Sequence, residues 1–241
     1  MRDELTDRIG FWAAILSTLF LATFAAAFTV TVIRFPEAVH WAGIEAYAAN
    51  YNEELLLLLM FPVFLLPLSL VTLLACIHRN TPTHKQILSL LALVFTTLYA
   101  AQITYNYYTQ MTAVRLSILN GELEGLAIHA FFNPHSIALN LELLGYGLLS
   151  IGLIFAAFLF HGGRTIARTI FWILLINGVL NALYIFEPFV AIGGPPIVLA
   201  LFNYTVPIAT ALIAVEFRKA LKESHGGPGR AEMMFETSGR R

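Results

Sequence analysis

The stretch LLLLLMFPVFLLPLSLVTLLACI, residues 55–77, runs for 23 positions without a charged side chain. As an α-helix rising about 1.5 Å per residue it reaches about 34 Å, more than the roughly 30 Å hydrocarbon core of a bilayer. It is apolar on every face, so in water it would have no side to turn outward. Pro62 and Pro67 interrupt it, and each helix-interior proline frees the carbonyl four residues earlier, here Leu58 and Val63. Membrane helices tolerate such breaks because neighbouring groups take up the freed carbonyls. Residues 55–77 read as a transmembrane helix.

Working outward, comparable runs occupy about 9–33, 87–108, 137–160, 170–186 and 197–215, and only 137–160 contains a charged residue, Glu142. Of 241 residues, 58% are hydrophobic and 12% charged, where a soluble domain carries about a quarter charged. The expected fold is an all-α polytopic membrane protein. Its six transmembrane helices lie within residues 1–217, and the Gly, Ser and charge content of the tail 218–241 (ESHGGPGR, ETSGRR) predicts disorder. The first run could imitate a signal peptide cleaved at Ala25 to Ala27. Apolar sequence continues past those alanines and the head carries Asp3, Glu4 and Asp7, so it reads as a span.

Basic residues set the orientation. With six spans, 12 of the 14 Lys and Arg residues fall on the side of the termini, leaving only Arg34 and Arg115 on the other. Positive loops stay in the cytoplasm, so both termini are expected there, with the chain in the inner or plasma membrane of a cell. The single cysteine, Cys76, excludes an internal disulfide framework and a cysteine-rich metal centre. Between Arg34 and Glu54 an acidic, aromatic connection with Trp41 and Tyr47 suits a short interfacial helix. The external segment Thr109 to Ser136 contains NGELEGLAIHAFFNPHS, too apolar for a plain solvent loop and expected to fold back over the bundle. Asn133 and Pro134 are expected to cap and open the fourth helix.

The stretch from QITYNYYTQM through GELEGLA and FNPHS to FLFHGGR, with INGVLNALY in the fifth run, resembles a group of six-helix integral membrane proteins of bacteria and archaea to which no activity is assigned. The resemblance covers about residues 50–190. It implies that fold and a prokaryotic membrane, and gives no role to any residue.

Polar side chains inside a bilayer are expensive unless paired, so their pattern is the functional signal. Gln102, Asn106 and Gln110 recur every four residues as one stripe on the third helix, flanked by Tyr105, Tyr107 and Tyr108. Asn177, Asn181 and Tyr184 form a second stripe on the fifth helix. Glu142 and Tyr146 lie one turn apart on the fourth, and the sixth adds Asn203 with Tyr204. All fall in the middle or external half of the bilayer, whereas the cytoplasmic half reads as nearly pure hydrocarbon. One-sided polarity suits an outward-facing pocket rather than a continuous pore. Its expected ligand-binding residues are Glu142, Gln102, Asn106, Asn181, Asn177, Tyr146 and Tyr184. Interhelical hydrogen bonding without a ligand would use the same side chains. Glu142 is central. It shares a face with Gly145 and Gly152, and a carboxyl there needs a partner or a proton, for which Arg115 is the one cation the sequence offers nearby.

No metal or cofactor is expected. His129 and His135 beside Glu122, Glu124 and Glu142 match no ligand spacing. Lys85, Lys219 and Lys222 sit at helix ends, which excludes a buried Schiff base. There is no P-loop, GxSxG or HExxH pattern, and the scattered basic residues form no nucleic-acid patch. Three functions remain. One is a non-enzymatic bundle that sits among membrane lipids and binds or moves a small amphipathic molecule. The second is an intramembrane lipid-modifying or isomerising enzyme pairing Glu142 with His129 or His135. The third is a structural or sensory subunit. A binder needs a cavity, an enzyme needs carboxylate and imidazole in reach of each other, and a structural protein needs its polar residues paired together.

Overall fold

In the computed structural model the described residues are 3–186, 189 and 196–225. Helix α1 (Glu4–Arg34) starts where the Asp3 carboxylate accepts the Leu5 amide at 3.1 Å. Glu4 and Asp7 place further negative charge at the positive end of its dipole. It stops at Arg34, ahead of Pro36, whose ring disfavours helical geometry in the residue before it. The short helices α2 (Pro36–Val39) and α3 (Ile44–Ala49) follow. Helix α4 (Glu53–Asn80) contains the opening stretch and is capped by Asn52, which accepts the Leu55 amide at 2.9 Å. Next come α5 (Gln86–Thr109), α6 (Arg115–Leu119), α7 (Ile137–Leu159), α8 (Thr165–Ala182) and α9 (Pro196–His225).

Among the described residues all regular structure is helical, and five helices are long and apolar enough to cross a membrane. The chain is a membrane protein by this measure. The long helices pack in chain order: α1 on α4, α4 on α5, α5 on α7, α7 on α8, α8 on α9. Helix α9 then returns to α1, so the bundle is a closed ring. Thr18 and Thr210 share a 2.8 Å hydroxyl contact across the closure, Tyr204 bonds Thr29, and Phe217 fills the space above Gly10. The α9 numbers fall as the α1 numbers rise, so the two helices are antiparallel.

Glycines let these helices approach. A Cβ on Gly145 would stand 2.8 Å from Ile103 across the α5–α7 contact, and one on Gly178 would stand 2.8 Å from the Ser150 carbonyl across α7–α8. Both are closer than packed atoms allow, which marks small-residue packing of membrane type.

Four expectations change. The third helix does not end near residue 108, because a π-turn (Gln110–Val114) carries α5 into α6, making 37 helical residues from Thr83 to Leu119. It ends before Gly121, whose φ of 72° glycine adopts at little cost. The cap of α7 is Ser136, which accepts the Leu139 amide at 3.0 Å, and not Asn133. Asn133 instead accepts the His135 amide and donates to the Ala127 carbonyl, tying the preceding turn together. The tail is helical through His225, held by buried Phe217 and Ala220, while 226–241 lie outside the described residues. Lastly, the N-terminal side of the bundle is not bare hydrocarbon: Ser17 pairs with Ser69 at 2.8 Å, and Asn80 donates to buried Asp7 at 2.7 Å.

Candidate functional site

The polar stripe of α5 is satisfied largely by backbone. Gln102 donates to the Leu141 carbonyl at 3.0 Å, Asn106 to the Ala138 carbonyl at 3.1 Å, and Gln110 to the His129 carbonyl at 2.8 Å. Each carbonyl has a second lone pair to offer, so the stripe fastens α5 to α7 and to the segment leading into it.

Glu142 joins this seam from α7. Its Oε1 accepts from the Tyr107 hydroxyl at 2.7 Å, and its Oε2 from Asn106 Nδ2 at 3.3 Å. Tyr107 is fully buried, and Glu142 is half-buried. Adjacent residues on a helix point about 100° apart, so Asn106 and Tyr107 straddle the line between the two axes and grip the carboxylate from either side. Both donors are neutral. Arg115, expected as the cationic partner, is committed elsewhere: its guanidinium grips Glu53 at the start of α4, with Nε at 2.7 Å. The loop position of Arg115 suggested Glu142, but the helical extension of α5 carries it two turns past Tyr107, to the level of the α4 cap.

The other expected residues divide. Tyr146 is buried with its ring 5.7 Å from Tyr99 and 5.3 Å from Phe202, so it joins α5, α7 and α9 at the core. Asn177 donates to the Ile173 carbonyl at 2.7 Å and to Thr205 of α9 at 2.8 Å, and Asn181 donates to the Asn177 carbonyl at 2.9 Å. Among the described residues no hydrogen bond links these two to Glu142. Among the described residues, the buried amide oxygens of Gln110, Asn177, Asn181 and Asn203 have no hydrogen-bond donor. The side chain of Tyr184 lies outside the described residues. The structure thus brings Gln102, Asn106 and Glu142 into one α5–α7 seam, adds Tyr107, and leaves Asn177 bonded to Thr205 of α9 and Asn181 bonded within its own helix. Sequence reasoning gave Tyr107 only as one of three flanking tyrosines, and nothing in the local pattern singles it out.

Above the seam lies the segment 120–136 that leads into α7. Leu126 and Ala130 are buried, and Phe131 and Phe132 pack on the core, although Leu119 and Ile128 remain exposed. The Phe131 ring stands 5.6 Å from Tyr107, and that of Phe132 stands 6.3 Å from Tyr47 on α3. Burial raises the Tyr47 phenol and pushes that of Tyr51 up to about 12, with nearby Arg115 pulling Tyr51 the other way. Among the described residues, neither histidine ring bonds Glu142, and His129 enters the seam through its backbone carbonyl.

Of the cavities lined by described residues, one of about 520 Å³ lies between α1 and α4, and one of about 10 Å³ lies under α3. Glu142 lines neither. The larger is on the side of the N-terminus, opposite to the polar seam. No protein-family model, curated protein or solved structure matches the chain.

Proposed function

We propose that this is a six-span membrane protein, with both termini cytoplasmic, that recognises a small amphipathic molecule carrying a positive charge, with Glu142 as its polar anchor. The observation that carries the reading is the pairing of Arg115 with Glu53, which leaves Glu142 held by two neutral donors in an apolar bundle. A carboxylate in that setting takes its compensating charge from a proton or from a ligand. The antiparallel closure of α9 on α1 supports an even number of crossings, and the partition of basic residues supports the cytoplasmic side for both ends. The resemblance to bacterial and archaeal proteins points to a prokaryotic inner membrane.

The test is thermal unfolding of the purified protein in a non-ionic detergent with dodecylamine, dodecanol or dodecyl sulfate added below micellar concentrations. Dodecylamine is expected to raise the melting temperature of the native protein and not of Glu142→Gln, with dodecanol inert on both. Equal stabilisation of the two proteins by the amine would refute the proposal.

A second reading has its own support. Gln102, Asn106 and Gln110 each donate to a backbone carbonyl across the seam, which is what a purely structural subunit requires. Under that reading none of the three amphiphiles distinguishes the native protein from Glu142→Gln.

A further inference from the structure

The groove between α1 and α4 is independent of the Glu142 seam. Small residues form its floor, where Ala13 of α1 faces Ser69 of α4 and the Ser17–Ser69 hydroxyl contact of 2.8 Å closes the bottom. Large residues form its walls: Trp12, Leu16 and Phe20 on one side, Leu65 and Leu68 on the other. Trp12 is 58% exposed and Leu68 54% exposed, so among the described residues no group covers them. From Arg8 at its mouth to Phe20 at its far end the groove follows α1 for about 18 Å, close to the roughly 15 Å depth of one leaflet. Its volume of about 520 Å³ suits a single chain-like occupant.

Charge lies only at the mouth. The Arg8 guanidinium uses Nη2 to hold Glu4 at 2.9 Å, and its side chain is 62% exposed. A guanidinium has five donors in a fork that matches phosphate oxygens. Trp12 sits one turn deeper, the level at which an indole favours the membrane interface. A cation at the boundary, an indole below it and an apolar trough one leaflet deep form the outline of a lipid.

We propose that the α1–α4 groove is a site for a phospholipid of the leaflet on the N-terminal side, with one acyl chain along Trp12, Leu16 and Leu68 and the phosphate on Arg8. The proposal needs neither the number of spans nor the role of Glu142.

Trp12 is itself the probe. The chain has three tryptophans, so Trp41→Phe with Trp172→Phe leaves Trp12 as the one emitting indole. In non-ionic detergent micelles its fluorescence is titrated with a phosphatidylglycerol carrying a dibrominated acyl chain, and with the diacylglycerol bearing the same chains. The phospholipid is expected to quench at a several-fold lower mole fraction than the diacylglycerol. Arg8→Gln, an exposed change that leaves the fold intact by size exclusion, should erase that difference while leaving quenching by the diacylglycerol unchanged. Equal quenching by the two lipids in the Arg8 protein overturns the proposal, as does a preference that survives Arg8→Gln. Absence of quenching with elution as a dimer also overturns it, by assigning the groove to a second copy of the chain.

Discussion

The Tyr107 hydroxyl and the Glu142 carboxylate meet at 2.7 Å across the α5–α7 contact, and Asn106, the residue before Tyr107, holds the other carboxylate oxygen at 3.3 Å. The acid of α7 is therefore held by one turn of one neighbouring helix. Rotation of α5 against α7 would break both bonds together.

Because the hydrogen bond joins a phenol to a group that can carry charge, its loss should register in stability. Tyr107→Phe is expected to destabilise the protein by about 1–3 kcal/mol. The cycle formed with Glu142→Gln should show a coupling of at least about 0.5 kcal/mol, measured by unfolding in mixed micelles. Strict additivity would mean that the two groups do not interact.

Gly178→Ala offers a sharper packing test. Alanine favours a helix by about 1 kcal/mol over glycine, yet its Cβ would stand 2.8 Å from the Ser150 backbone oxygen, which cannot swing aside. The expected outcome is a net loss of about 1–3 kcal/mol from overpacking, read as a lower melting temperature. A gain in stability would show that α7 and α8 can separate freely.

The Arg115–Glu53 pair should contribute little by itself. About a third of each side chain is exposed, and such pairs are worth roughly 0–1 kcal/mol and weaken with salt. Glu53→Gln is expected to lower stability by less than about 1 kcal/mol, with the difference fading in high salt. A large, salt-insensitive loss would place the pair in a drier setting than its exposure indicates.

Phe217→Ala probes the ring closure. Phe217 is 1% exposed and fills the space above Gly10, so truncation should remove about 3–5 kcal/mol. Amide exchange of residues 218–225 should accelerate with it. Unchanged exchange would mean that the end of α9 stands without this anchor.

Much of the architecture was legible because the bilayer imposes length and apolarity on each helix, and residues 55–77 or 137–160 satisfy both without reference to any partner. Helix ends were less legible. Gln110 and Arg115 end the apolar run, but hydropathy marks the edge of hydrocarbon and not of helix, so α5 continues until Gly121 offers a left-handed exit. The period of four in Gln102, Asn106 and Gln110 gave the correct face, yet it could not reveal that their acceptors are backbone carbonyls, which no side-chain pattern encodes. The partner of Arg115 was misjudged for the same reason, since its height depends on that unforeseen helical extension. Trp12 and Leu16 looked like ordinary span residues. Only the placement of α4 beside them makes a groove.

The closed ring bears on how the protein is made. A chain emerges and inserts from its N-terminus, so the face of α1 that carries Gly10, Thr18 and Thr29 enters the bilayer long before its match exists. Thr210, the partner of Thr18, follows 192 residues later. Through that interval the α1 face must be sheltered by lipid or by the insertion machinery, and a translation product that stops before Pro196 never gains its seal. Quality control acting on this protein would find its clearest mark of an unfinished molecule on helix α1.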